Sequence, residues 1–534
     1  MKKKIKTNTL FFLLILSILL FPIQIVSISQ FTLSIQPKVD LTSIEMPKLS
    51  SSNNWPSNGR IICNEGYDQL YPQVCSDGAD GAIITWLDER SGTFGDIYAQ
   101  LVNSTGDVRW APNGVAISTE NDTQGGPQIC NDGIGGAIIT WHDKRNGLFN
   151  DIYAQKINST GDIQWVANGT VISTAEDDQV VPQICSDEAG GAVIIWNDYR
   201  SVKDYDIYVQ RINSSGDVKW NANGTAICTE GGDQYFPQIS SDNAGGAILA
   251  WEDYRGGKGG DIYAQKINSS GDVKWDVNGT VICMANDTQG YLQITTDGAG
   301  GAIITWADYR NGMNFDIYAQ RIDSTGNVKW TPNGAIICGA SGNQATPQIC
   351  SDGAGGAIIT WADWRIGSNG DIYTQRIDST GNVKWTVNGV AICRSNADQD
   401  APQITSDGNG GAIITWQDLR NVWEDVYAQR IDSTGNVIWV PDGVVICNAS
   451  YAQRRPQIIS RVNRSAIITW FDKRNGANYD IYANLIEDIP YNGDDGDGRF
   501  PIEIVIIISS TCGGIALLGV ATFFILKRRR KIEQ

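Results

Sequence analysis

Residues Gly355 to Cys393 read GGAIITWADWRIGSNGDIYTQRIDSTGNVKWTVNGVAIC, and close copies of this stretch recur through most of the 534-residue chain. Its first tryptophan recurs as Trp86, Trp141, Trp196, Trp251, Trp306, Trp361, Trp416 and Trp470, spaced by 55 residues six times and by 54 once. A single unit of this size cannot bury its apolar face alone, so eight copies imply stacked or radial units sharing one core.

Each unit contains four short extended runs rich in Ile, Val, Thr, Tyr and Trp: PQIC, GGAIITW, DIYTQRI, and NVKW running on to VAIC. AIITW is apolar throughout, which suits a strand covered on both faces by neighbouring units. The turns SDGAGG and DSTGN supply Gly and Asp where the chain reverses. The ends of the array decide its architecture. Asn54 to Cys63, NWPSNGRIIC, matches the fourth run that ends at Cys338 but precedes any complete unit, while the last unit stops after its third run at Ile486. The first segment supplies what the last unit lacks, which closes a ring and removes both free sheet edges. The expected fold is all-β: an eight-bladed β-propeller of four-stranded antiparallel blades, closed by the N-terminal strand and followed by one C-terminal transmembrane helix.

The RIDSTGNVKW segment, with Asp, Gly and Trp at set spacing, resembles the tryptophan-bearing repeats of the quinoprotein (PQQ-type) eight-bladed propellers. That resemblance covers one part of each blade. It implies that Trp55, Trp110, Trp165, Trp220, Trp275, Trp330, Trp385 and Trp439 each dock against the adjacent blade. It is a likeness of architecture only, since no vicinal Cys pair or metal-ligand cluster accompanies it, and no cofactor is expected. Burying one such Trp removes ~200 Å² from water, worth at most ~5 kcal/mol.

Residues 1-29 have a basic start, an apolar core and a small-residue exit, and read as a signal peptide. Residues 30-53 form a lead-in, 54-487 the propeller ectodomain, and 488-501 an acidic, Gly-rich stalk. Residues 502-526 are expected to form the transmembrane helix, with Ile504 to Leu526 free of charge, and 527-534 the basic tail. The positive-inside rule places that tail in the cytoplasm and the repeats outside, as a single-pass plasma-membrane protein. The formal net charge is −18, and setting aside the basic ends leaves about −26 on the repeats and stalk. Such a surface repels nucleic acid. The partners expected are an extracellular glycan or protein, with the lipid bilayer met through the C-terminal helix.

Cysteines end the VAIC-like and PQIC-like runs, where Ser or Thr fills the same slots in other units, so these are small semi-buried positions. Only Cys63/Cys75 and Cys338/Cys350 offer both partners of a disulfide within one unit. Among eleven N-x-Ser/Thr sequons, Asn103, Asn158, Asn213 and Asn268 fall in the turn before the second Trp and are candidate glycan acceptors.

W-x-D-x-R recurs in every unit, as in Asp363/Arg365, and a third-run Asp precedes Ile or Val and Tyr. Eightfold recurrence favours a pinned loop over a catalytic centre, which needs unlike groups in unlike roles. The informative positions are those where the units disagree. They are the two residues between a recurrent Gln and Pro-Gln, and the x positions of W-x-D-x-R. Tyr71, Tyr235, Phe236, Tyr291, Trp364, Arg454, Arg455 and Glu252 are the candidate ligand-binding rim, because the connections carrying them open on one face of a propeller. No catalytic or metal-ligating residue is assigned. His142, the one histidine, reads as a solvated loop residue and permits no His-based triad. The functional reading is a binding or adhesion module; an extracellular carbohydrate-active hydrolase and a structural envelope protein are the alternatives.

Overall fold

A computed structural model describes residues 55-488 apart from Thr93 and Lys258. The signal segment, the lead-in, the stalk beyond Asp488, the transmembrane segment and the tail lie outside the described residues. Among those described, no helix is long and apolar enough to cross a membrane.

The described chain forms eight four-stranded antiparallel sheets. In blade 1 the strands are Gln69–Ser76, Ala82–Asp88, Asp96–Val102 and Val115–Ser118, in spatial order. The first strand of each blade touches its counterparts in the two neighbouring blades, so the eight innermost strands form a closed ring. Alternate faces of the second strand enter different cores. Ile83 packs with Ala137, Ile139 and Trp141 of blade 2, whereas Ala82, Ile84 and Trp86 pack with Ile467 and Ala483 of blade 8. This two-sided burial is why AIITW carries no polar alternation.

Closure takes place as the sequence implies. Arg60–Cys63 pairs antiparallel with Asp480–Ile486 as the outer strand of blade 8, aligning Arg60 with Ala483 and Ile61 with Tyr482. Arg474 Nη2 donates to the Asn58 carbonyl at 2.7 Å, and the Gln69 amide donates to the Tyr479 carbonyl at 2.7 Å. Gly59 is needed at this join: its φ is +92°, and a Cβ there would lie 2.6 Å from the Trp470 ring.

The fourth run is shorter than its sequence suggests. Val383 forms only an isolated bridge with Ile377, and the strand proper is Val390–Cys393. Asn388 and Gly389, at φ 62° and 91°, turn the chain between the two parts. The second Trp therefore sits in a bend, and there it docks on the next blade. Trp110 Nε1 donates to the Ser159 carbonyl at 3.1 Å, and the ring lies against Gly161, where a Cβ would come within 2.8 Å.

The W-x-D-x-R motif pins each blade to its predecessor. Asp363 accepts from Trp361 Nε1 at 2.8 Å and from the backbone amide and Nε of Arg365. The Arg365 guanidinium lies 3.8 Å from the Tyr373 ring centroid and donates to the Asn388 carbonyl and to the sulfur of Cys338 in blade 5. The neighbouring charge and hydrogen bonds hold this arginine above its usual pKa against the opposing effect of burial.

The ten cysteines of the described residues are free thiols. Cys63 lies in the outer strand of blade 8 and Cys75 in the innermost strand of blade 1, so sequence neighbours sit at opposite edges of adjacent sheets. Cys338 and Cys350 are separated in the same way. Neither candidate disulfide forms.

Candidate ligand-binding face

The eight variable pairs lie at the start of the innermost strands, where the ladder is interrupted. In blade 4, Tyr235 pairs with Glu252 and Gln238 with Ala250, leaving Phe236 and Pro237 bulged out of register. The same shift occurs in all eight blades. At each bulge the second variable residue adopts a left-handed conformation. These are Tyr71, Gly126, Val181, Phe236, Tyr291, Thr346, Ala401 and Arg455, with φ between 49° and 59°. Seven are not glycine and two are β-branched, for which this region costs ~1–2 kcal/mol per residue. The bulge aims the side chain outward: Tyr71 is 46 % exposed, Phe236 53 % and Tyr291 58 %.

Several rim residues come together. Across blades 3 to 5, Tyr199, Tyr205 and Tyr235 follow one another at ring separations of 4.7 and 5.3 Å. Tyr235 then meets Phe236 at 5.8 Å and Tyr254 at 5.9 Å. Tyr254 Oη donates to Glu252 at 3.2 Å, and the other Glu252 oxygen accepts from the Tyr291 amide at 2.7 Å. Tyr291 meets Phe315 edge-on at 6.4 Å. Glu252 is thus a 5 % exposed support beneath the band rather than a displayed carboxylate. Burial raises its pKa against the hydrogen bonds from Tyr291 and Tyr254. Burial, and then the Glu252 charge, pushes Tyr254 up to about 12; burial, and then Asp233, does the same for Tyr235.

A second group forms where the ring closes. Tyr71 packs edge-on against Phe471 at 5.9 Å, with the Arg455 guanidinium 5.4 Å from its ring. Arg454 pairs with Glu424 at 2.7 Å. Trp364 of blade 6 belongs to neither group; its half-buried ring lies over Gly370.

Two features escaped the sequence reading. His142 is on the second strand of blade 2, not a solvated loop, and burial lowers its pKa. It borders a cavity of about 540 Å³ between blades 1 and 2 that also includes Tyr67 and Phe94. A legible signal existed: blade 2 alone carries Gly-Gly at the variable pair, and Gly125 faces His142 in register. The second feature is the relation between the two aspartates that recur in every repeat, which the sequence reading took as loop pins and which face each other across the strands. Asp363 and Asp371 are register partners, as are their counterparts in every blade. Burial first, and the partner's charge second, push Asp96, Asp151, Asp206, Asp261, Asp371 and Asp480 up to about 6.

On the opposite face the turns are uniform. Asp77 Oδ1 accepts from the amides of Ala79 and Gly81, and Asn103 Oδ1 from those of Thr105 and Asp107. Asn103, Asn158, Asn213 and Asn268 lie half-buried in these turns, each donating Nδ2 to an aspartate four residues on. Later units exchange the pair: Asn436 Nδ2 donates back to Asp432. Among the described residues, no group of three or more His, Cys, Asp or Glu is placed to hold a metal ion.

Strand order and closure define the chain as an eight-bladed β-propeller of four-stranded antiparallel blades. No protein-family model and no curated protein matches the chain. It is similar to solved structures that include a protein of unknown function from Dyadobacter fermentans, at 8 % identity over 81 % of this chain and 98 % of that one, with a TM-score of 0.37. The polysaccharide lyase Uly1 is 10 % identical over 72 % of this chain and 93 % of its own, with a TM-score of 0.42. An ulvan lyase of family PL25, bound to -[GlcA(1-4)Rha3S]-, is 10 % identical over 71 % and 96 %, also at 0.42. Likenesses this distant carry no argument about activity.

Proposed function

We propose that this chain is a cell-surface, single-pass membrane protein whose outward-facing propeller binds extracellular glycans or proteins through its variable face. The observation that carries the reading is the set of eight bulges. A strained, left-handed residue recurs at one position while its side chain changes from blade to blade, and the scaffold beneath stays constant. Recognition explains why strain is retained where the residue identity is free. Anchoring is supported by the uncharged run from Ile504 to Leu526 and the five bases that follow it. Orientation is supported by the end of the last strand. The chain passes Ile486 on the uniform-turn side, where Arg430 Nη1 holds Asp488 at 2.8 Å, so the described residues end on the side opposite the variable face.

The test is a binding screen of the purified full-length chain against arrays of cell-surface glycans and extracellular proteins. Capture should fall at least tenfold on Phe236→Ala or Tyr291→Ala, each of which removes an exposed aromatic anchor. Capture unaffected by both substitutions, or cleavage of an arrayed polysaccharide by the chain, would contradict the reading.

A further inference from the structure

The cavity between blades 1 and 2 lies where blade 2 departs from its siblings. Between blades 3 and 4 the corresponding cleft holds Tyr199, Tyr205 and Tyr235. In blade 2 the variable pair is Gly125-Gly126, and the imidazole of His142 lies directly over it. A Cβ on Gly125 would stand 2.7 Å from Nε2, and one on Gly126 would stand 2.9 Å from Nδ1. His142 Nδ1 is buried and has no hydrogen-bond partner among the described residues. The opposite wall is aromatic: Tyr67, 57 % exposed, and Phe94, 46 % exposed, stand beside Tyr71. Glu89 supplies a carboxylate from the second-to-third connection of blade 1.

From this we infer that the cavity is a subsite for a single neutral sugar residue at the end of a glycan, seated between Tyr67, Tyr71 and Phe94 and hydrogen-bonded to Glu89 and His142. The inference rests on the binding reading above and gives it a place and a ligand class. Its volume of about 540 Å³ lies within the ~300–1,000 Å³ usual for small-ligand sites. The apolar C–H faces of a sugar ring pack against aromatic faces, and its hydroxyls meet the polar groups. A hydroxyl both donates and accepts, so it satisfies the orphaned imidazole nitrogen in either tautomer, which an ammonium, a donor only, cannot do. Asp68 and Asp88 lie close enough to Glu89 to raise its pKa after burial, so the local field opposes anionic sugars.

His142 is the single histidine of the chain, so ¹³C-histidine labelling of the full-length protein gives one imidazole signal at the site. Neutral methyl glycosides are titrated against it, beside methyl glucuronide and trimethylammonium as charged probes. The variant Gly126→Val reproduces the residue that blade 3 already carries in this backbone conformation as Val181, and its side chain pushes against the imidazole and fills the space above the glycine pair. The expected result is a saturable shift with at least one neutral glycoside, weakened tenfold or more by Gly126→Val and retained in Thr380→Ala, an exposed turn position on the opposite face. Neutral sugars that leave the signal unmoved, or bind Gly126→Val as well as the natural chain, overturn the subsite; a response to a charged probe alone overturns the ligand class. The wider binding reading is judged by array capture and not by the imidazole signal, failing if Phe236→Ala and Tyr291→Ala leave capture intact, so the two failures are distinguishable.

Discussion

Val181 shows what a single position costs and what it is for. Its φ of 55° is unfavourable for a β-branched residue, yet the same conformation recurs in every blade. Replacing it by the glycine that blade 2 already uses should relieve ~1 kcal/mol of strain, partly offset by the greater freedom glycine gives the unfolded chain. Val181→Gly should therefore leave the urea midpoint unchanged or raise it, in equilibrium unfolding of the full-length chain. A clear fall would mean that the bulge is not strained. By contrast, the W-x-D-x-R residues are fully committed to structure. Their recurrence alone identified them as pins, but the sequence could not show that each arginine also grips the preceding blade, because that partner lies 27 residues earlier in a different sheet.

The four-stranded blade was largely legible: three of its strands follow from short apolar runs bounded by Gly and Asp, and ring closure follows from the split unit. What was not legible is how each element is used. The fourth run reads as one strand, but Asn388 and Gly389 divide it, and the alternation of exposed and buried residues does not reveal such a break. The rim residues were singled out by their variability. Which of them meet, and that Glu252 lies beneath the aromatic band while His142 borders a cavity, depends on contacts between blades that no single repeat encodes. The closing strand offers the sharpest test of the ring. Deleting residues 54–63 leaves blade 8 with an open edge and removes the cover from Ile481 and the Trp470 ring. The chain should lose several degrees of Tm and gain a tendency to self-associate through that edge. An unaltered melting profile would refute closure.

For the molecule as a whole, the paired aspartates predict an unusual dependence on pH. Six of them have folded pKa values raised to about 6, while in the unfolded chain they return to about 3.9. Between those values the folded state holds more protons, so stability rises as pH falls through 6 and is lost as pH rises again. Asp316 and Asp425 are raised as well and act in the same direction. His142, lowered by burial, acts in the opposite direction but is a single group. The turn carboxylates of Asp323, Asp378 and Asp432 are held below their usual range, chiefly by hydrogen bonds that outweigh burial, and their contribution disappears only as pH falls below about 4. Tm should accordingly be higher at pH 5 than at pH 7.5, by about 5 °C, and fall again below pH 4. A monotonic loss of stability on acidification from pH 7.5 would contradict the raised aspartates.

Blocking one face at a time tests most directly whether recognition belongs to the variable side of the ring. Among the described residues, burial raises the pKa of native thiols such as Cys63, Cys75 and Cys130, which keeps them unreactive, so with Cys512 replaced by serine a new surface cysteine can be modified selectively. Val181→Cys, at an exposed bulge of blade 3 that carries no aromatic anchor, places a bulky polyethylene glycol maleimide on the variable face, and Thr380→Cys places it in a uniform turn on the opposite face. For the array partner that the unmodified chain captures, the account predicts that capture is abolished by the label at position 181 and retained with the label at position 380. Loss at 380 with retention at 181 would contradict it.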